Sequence, residues 1–314
     1  MNSGTLSAAH PVSASAEETL AVNGRSFYWA RHFLGQTHAA RATRLYALCR
    51  HLDDLADESS SPESALDNLL TTRNAIRTGV TSDPTLRDGL DLMLECRIPP
   101  EIVLELIEGL LSDLDPVRTA DEAALLRYSY RVAGTVGIMM CGVLDVHDPL
   151  AYPHAMDLGI AMQLTNICRD IAEDAGRNRR YLPATIIGDR EPAQLLQPGA
   201  NLRPLLRGSV SRLLDMADRY YASGESGIAH LPLRARGGIL VAARVYRAIG
   251  SRLRRRDCDV WSGRVVVGSR QKALVTLSTL LLAPLQRFFW RPSSKHDSKL
   301  HEALIGMPGT ITKT

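Results

Sequence analysis

Apolar residues recur at helical intervals along nearly the whole chain, while the alternating runs that mark strands are almost absent. In "RATRLYALCRHLDDLADE" Leu45, Leu48, Leu52 and Leu55 fall three or four positions apart, which puts them on one face of a helix. "SSSPES" stops that segment. "SALDNLLTTRNAIRTG" repeats the pattern up to Gly79, and "PPEIVLELIEGLLSDL" opens on a proline suited to a first helical turn. Four longer helical segments follow, beginning at "TADEAALLRYSY", "AYPHAMDLGIAM", "LRPLLRGSVSRL" and "RARGGILVAARV". "RVVVGS" (264–269) is the one short strand candidate. The pattern predicts an all-α chain of about eight to ten helices.

No internal repeat and no long linker divides the sequence; "GDREPAQLLQPGAN" (188–201) is its most loop-like internal stretch. The prediction is a single domain over 19–291, with a small-residue, disordered leader at 1–18 and a flexible Ser/Lys/Gly/Thr-rich tail at 292–314. The first twenty residues lack a basic segment followed by an apolar core, so no secretory signal is read there. Five scattered cysteines, with no CxxC or Cys/His metal spacing, read as reduced, packed thiols in a cytoplasmic protein. With 37 basic and 34 acidic side chains the net charge is +3, which gives no reason to expect a nucleic-acid partner. The longest apolar stretch, "ALVTLSTLLLAPLQRFFW" (273–290), is broken by Pro284 and Arg287 and is too short for a confident membrane span. It reads as a terminal helix packed on the core or, with Lys272, Arg287 and Arg291 beside it, as one resting on a membrane surface.

Two acidic clusters stand out from this helical background. "HLDDLADE" holds Asp53, Asp54, Asp57 and Glu58; "NICRDIAED" holds Asp170, Glu173 and Asp174. Residues four apart share a helix face, so Asp53 pairs with Asp57 and Asp170 with Asp174. Gln163 and Asn166 extend the second pair into a polar stripe on an otherwise apolar helix. A solvated helix face would usually interleave lysines with such acids, and "DDLADE" has none. Like charges at this spacing repel by a few tenths of a kcal/mol, or about 0.2–0.5 per pair. Inward-facing carboxylates would need cations, and Mg²⁺ commonly takes one or two carboxylates and completes its shell with water and phosphate oxygens. Arg50, Arg169 and the run "GRNRRYLP" (176–183) place guanidinium groups beside both clusters, where they suit phosphate oxygens.

With these residues in view, "CRHLDDLADE", "YRVAGTVGIMM" and "QLTNICRDIAEDAGRNRRYLP" closely resemble signature segments of the squalene/phytoene synthase family, most of all its bacterial phytoene synthases. The similarity runs from about Asn23 to Lys272 and includes "LPLRARGGILVAARVYRAIG" and "DVWSGRVVV". The resemblance implies an isoprenoid-synthase helical bundle around a central cavity. It implies Mg²⁺-dependent head-to-head condensation of two geranylgeranyl diphosphates through prephytoene diphosphate to phytoene, a step of carotenoid biosynthesis, with Mn²⁺ as a substitute ion and no nicotinamide cofactor. Carried over by position, Asp53, Asp57, Asp170 and Asp174 are the catalytic aspartates, joined by Tyr128 and Tyr246. Asp54, Asn166 and Glu173 complete the metal set. Arg25, Ser26, Tyr46, Arg50, Gln163, Asn166, Arg169, Arg264 and Lys272 are the expected diphosphate ligands. Phe27, Val132, Ala133, Val136 and Gly137 are the expected cavity wall, with Gly134 and Gly137 letting a prenyl chain approach closely. Where the family often reads Ser-Lys-Ser-Phe, this chain has Gly24-Arg25-Ser26-Phe27, so a hydroxyl is missing at Gly24.

Two other readings are open at this stage. A C30 enzyme would use farnesyl diphosphate to make squalene, dehydrosqualene or presqualene diphosphate, and cavity depth would separate it from a C20 enzyme. A non-catalytic relative acting as an assembly factor would be expected to lose motif acids, and both pairs are present. The apolar substrate and product make peripheral association with the inner membrane an expectation, and the sequence is silent on oligomeric state.

Overall fold

The protein's structure is a computed structural model in which residues 33–293 and 295–310 are described. The leader and the expected site residues Arg25, Ser26 and Phe27 lie outside the described residues. Among the described residues, ten helices of eight or more residues form the bundle: α1 (Gln36–Asp57), α2 (Pro62–Thr78), α3 (Pro84–Glu95), α4 (Pro100–Ser112), α5 (Glu122–Ser129), α6 (Thr135–Val143), α7 (Tyr152–Gly176), α8 (Arg203–Ser226), α9 (Leu233–Arg255) and α10 (Ser269–Leu282). Among the described residues there is no sheet, and one isolated bridge joins Arg118 and Arg180.

Local chemistry sets the helix ends. Ser61, Asp83 and Asp121 cap α2, α3 and α5, each accepting a backbone N–H two or three positions into the helix, and Pro62 and Pro84 occupy first turns that need no donor. Gly79, with φ of 71°, supplies the left-handed residue that ends α2. "RVVVGS" keeps its alternation, with Val265 and Val267 buried and Val266 exposed, but it runs extended without a strand partner. The alternation therefore reports a chain lying along the bundle surface and not a sheet.

The 25-residue α7 is the central element. One side buries Ile160, Leu164, Ile167 and Ile171 among neighbouring helices. Its other side meets α6 and the wider π-helical turn Tyr130–Gly134 that precedes α6. Glycines set this contact. A Cβ on Gly137 would lie 2.1 Å from the Ala155 carbonyl oxygen, and one on Gly159 2.2 Å from that of Ala133. A Cβ on Gly134 would crowd Met156 and Tyr130 at 3.1 and 3.2 Å. Gly134 and Gly137 thus let two helices approach.

The segment after Pro292 also departs from expectation. Instead of a flexible tail, a 3₁₀ stretch at Ser298–Leu304 lies against the bundle with His301 and Leu304 buried. The Tyr220 and Tyr130 hydroxyls donate to the carbonyls of Leu300 and Pro308, both at 2.6 Å. Sequence composition favours disorder there, but these tertiary partners hold the backbone.

α10 buries Thr276 and Thr279, while Leu274, Leu277, Leu281 and Leu282 remain exposed among the described residues. No helix among those residues is long and apolar enough to cross a membrane.

Candidate active site

A cavity of about 360 Å³ runs along α7, and its walls change character along their length. From α7 come Ala155, Leu158, Gly159 and Met162, then Gln163 and Asn166. From α1 come Ala42, Leu45, Tyr46 and Cys49, then Asp53; from α9, Ile239 and Ala242, then Tyr246. On each helix the lining positions recur every three or four residues, so a single stripe faces inward. Each stripe starts apolar and ends at a carboxylate, an amide or a phenol. Val132, Ala133, Val136, Gly137 and Met140 close the side between them, and Leu34, Ile228 and Leu231 lie among the lining residues of the apolar part.

At the polar end the carboxylates are only partly matched by cations. Asp53 is accessible, but to the cavity, and protein surrounds it on its other sides. This desolvation, with Asp57, Asp54 and Asp113 nearby, pushes its carboxyl up to about 7 despite Arg50. Asp174 is likewise pushed up to about 7, by burial and by Asp170 and Glu173, against the pull of Arg179 and Arg177. Asp170 is paired with Arg169, and Arg264 lies 3.3 Å from it and 3.1 Å from Glu173. Asp57 is bridged by Arg177 at 3.3 Å and Arg179 at 3.0 Å. The segment following the second acidic motif therefore folds back onto the first, and the two motifs border one mouth. Arg50 pairs with Asp54 and, at 3.0 Å, with Glu58, pointing along α1 instead of into the cavity.

The donor set fits a hard divalent cation. Asn166 Oδ1 is buried and accepts no hydrogen bond, although it faces the cavity beside Gln163. An orphaned amide oxygen and under-compensated carboxylates are the ligand types Mg²⁺ takes. The four motif aspartates do not converge on one point. That suits an ion held by one or two carboxylates and completed by diphosphate oxygens.

Several residues lie elsewhere. Tyr128 stands outside the cavity lining: its hydroxyl donates to Asp113 at 2.8 Å, and its ring stacks on that of Tyr181 at 4.7 Å between centroids. Tyr181 also donates to Asp113 at 2.8 Å, and the Arg179 side chain donates to the Asp113 carbonyl. Asp113, Tyr181 and Arg179 thus form a buttress behind the first motif that spacing did not single out; only "RRYLP" hinted at it. Arg180 is 2% exposed and bonds the carbonyls of Thr119 and Leu182, so three neighbouring arginines have three different surroundings. Lys272 is half-buried in the first turn of α10.

A second cluster with metal-binding side chains joins Asp157 of α7 to His296 and His301 of the C-terminal segment. Its ligand atoms lie within 4.8 Å of one another, and such a set can hold a divalent ion. Asp157 is about 20 Å along the axis from Asp170 and about half a turn from the cavity stripe.

An all-α prenyl-synthase bundle with carboxylates at the mouth of an apolar cavity is the class these features define. Residues 20–271 match the family profile described as squalene/phytoene synthase, and the chain belongs to that family. It is 33% identical to a 15-cis-phytoene synthase of Pantoea ananas over 85% of this chain and 89% of the relative. It is 35% identical to a phytoene synthase of Thermus thermophilus over 87% and 93%. Among solved structures, a dehydrosqualene synthase in complex with ligand superposes with a TM-score of 0.74 at 26% identity, covering 87% of this chain and 96% of that one. A squalene synthase from Alicyclobacillus acidocaldarius shares the fold, with a TM-score of 0.68 at 21% identity over 77% and 93%. The protein is accordingly an isoprenoid synthase of the head-to-head type, and its substrate a prenyl diphosphate.

Proposed function

We propose that this enzyme condenses two molecules of geranylgeranyl diphosphate to phytoene through prephytoene diphosphate, in carotenoid biosynthesis. The observation that carries the choice of substrate is the set of relatives at 30–35% identity over most of the chain, among them 15-cis-phytoene synthases. Retention of both aspartate pairs speaks against a non-catalytic relative. The dehydrosqualene synthase likeness keeps a C30 reaction as the rival reading.

In this reading Asp53, Asp57, Asp170 and Asp174, with Asp54, Asn166 and Glu173 in support, would hold Mg²⁺. Bound there, the ion supplies Lewis-acid stabilisation of the departing diphosphate. Arg169 and Arg264, now paired with Asp170, and Gln163, Tyr46, Arg50 and Lys272 would bind and orient diphosphate oxygens. Arg25, Ser26 and Phe27 are proposed for the same mouth on the resemblance alone. When the allylic C–O bond breaks, the cation left on the prenyl chain must meet the second substrate's double bond before water does. The apolar stripe of Val132, Val136, Leu158, Met162 and Ala242 excludes that water. Tyr246, whose hydroxyl burial holds it protonated, lies at the boundary between wet and dry ends and would orient the substrate there. Tyr128 would act through Asp113, keeping the first motif in place.

Purified protein given Mg²⁺ and geranylgeranyl diphosphate alone is expected to yield phytoene, with farnesyl diphosphate run in parallel. Only C30 product would overturn the substrate assignment. Peripheral membrane binding is proposed for the leucines of α10 with Trp290, flanked by Arg287 and Arg291. Co-sedimentation with anionic vesicles, weakened in Leu277→Ser with Leu281→Ser, is the expected result.

A further inference from the structure

The proposed reaction gives no role to one buried polar cluster. Asp157 on α7 is 0% exposed, and the side chains of His296 and His301 are 6% and 8% exposed. Both imidazoles present Nε2 to this one carboxylate, His296 to Oδ2 and His301 to Oδ1, each at 2.7 Å. Ser223 donates its hydroxyl to Oδ2 at 2.5 Å, and the Ser223 carbonyl lies 2.8 Å from His154 Nδ1. The two rings sit 4.3 Å apart, and His154 meets His296 edge-on at 5.3 Å.

We propose that Asp157, His296 and His301 bind a Zn²⁺-like divalent ion that fastens the C-terminal segment to α7, at a site separate from the catalytic mouth. The chemistry of the set points to this class of ion. Two imidazole nitrogens and one carboxylate oxygen suit late first-row metals, whereas Mg²⁺ prefers an all-oxygen shell. His296 and His301 are spaced H-x₄-H, within the range common in zinc sites. Ligand atoms around a tetrahedral ion with bonds of about 2.0–2.1 Å stand about 3.3 Å apart, so each 2.7 Å contact opens by about half an ångström. Small ring rotations supply that. Ser223, already bonded to the carboxylate, would orient it from outside or complete the four-fold shell. His301 lies within the 3₁₀ stretch and His296 two residues before it, so one ion fixes the stretch that Tyr220 and Tyr130 also hold.

The test uses the full chain after chelation, titrated with Zn²⁺ by calorimetry in 10 mM Mg²⁺ (about the concentration that saturates a weak oxygen site). One tight Zn²⁺ equivalent per chain is expected, weakened at least about tenfold in His296→Gln and in His301→Gln. Substituting Co²⁺ should give the visible absorption of a tetrahedral ion, lost in the same variants. Hydrogen exchange of the amides in 298–310 should slow when Zn²⁺ is added to wild type and not in the variants. With Mg²⁺ and prenyl diphosphate, His296→Gln should turn over at the wild-type rate. Absence of a tight equivalent, affinity unchanged in both variants, or displacement by Mg²⁺ would overturn the site. Loss of turnover in His296→Gln with exchange of 298–310 unaltered would overturn its separation from catalysis. Because Asp157 is fully buried and its replacement risks the fold, the two histidine variants carry the test.

Discussion

Helix α7 holds two kinds of buried carboxylate, and they are treated in opposite ways. Asp157 receives hydrogen bonds from two imidazoles and a hydroxyl. Burial alone would raise its pKa, but the bonds from His296 and His301 outweigh that and hold it below the usual carboxylate value. Further along the same helix, half-buried Asp174 rises to about 7, because desolvation and the charges of Asp170 and Glu173 outweigh the pull of Arg179 and Arg177. At one end the carboxylate already has hydrogen-bond partners in the protein, a hydroxyl and two imidazoles whose nitrogens also suit a late first-row ion. The other is left short of positive charge, as a site that awaits a cation and an anionic substrate would be.

Five substitutions test this contrast, in order of effect. Asp170→Ala, and separately Asp53→Ala, should lower product formation by about 10²–10³-fold, the scale of losing one charge-stabilising group. Thermal stability should not fall in Asp53→Ala, whose carboxylate is desolvated and only partly compensated; retained turnover in either variant would break the comparison at its catalytic end. Asp157→Ala should do the reverse. Leaving its buried partners unsatisfied is expected to cost about 1–3 kcal/mol in denaturant unfolding, with turnover per folded molecule preserved. Asp174→Asn should raise Tm by about 2–4 °C at pH 8 without divalent ions, as about 1 kcal/mol of relieved repulsion would. The sign follows from the raised folded pKa: the stability linked to protonated Asp174 is present below its unfolded value of 3.8 and is lost as pH rises through about 7. An asparagine removes that loss, and a lower Tm would contradict it. Smallest is Glu58→Gln. Its side chain is 66% exposed against Arg50, so a stability change under about 0.5 kcal/mol and near-unchanged turnover are expected.

Much of this was readable from local spacing. The three-to-four-residue period placed Leu45, Leu48 and Leu52 in the core, because it depends on one helix alone; of the four paired aspartates, Asp53 lines the cavity. What spacing missed depends on partners far along the chain. His296 and His301 lie in a polar, Ser-rich stretch, and nothing near them reveals a carboxylate 139 and 144 residues earlier. Gly137 lines the cavity as expected, but its closeness to the Ala155 carbonyl of α7 could not be read from the local sequence. The run Arg177, Arg179 and Arg180 reads as uniform positive charge, yet Arg180 is buried against carbonyls while the other two reach Asp57. Asp113 had no motif of its own and became visible only through Tyr128 and Tyr181.

The graded walls of the cavity have a consequence for regiochemistry. Three inward stripes, on α1, α7 and α9, all run from hydrocarbon-like to polar, ending at Asp53, Asn166 and Tyr246. An amphiphile with one anionic terminus can settle among them in a single sense only, and so can its twin. Two such molecules must lie parallel, with their reactive first carbons adjacent and their tails aligned. Any joining bond then forms between the ends that carry the leaving groups, so the wall chemistry selects the connectivity of the product before any bond is broken.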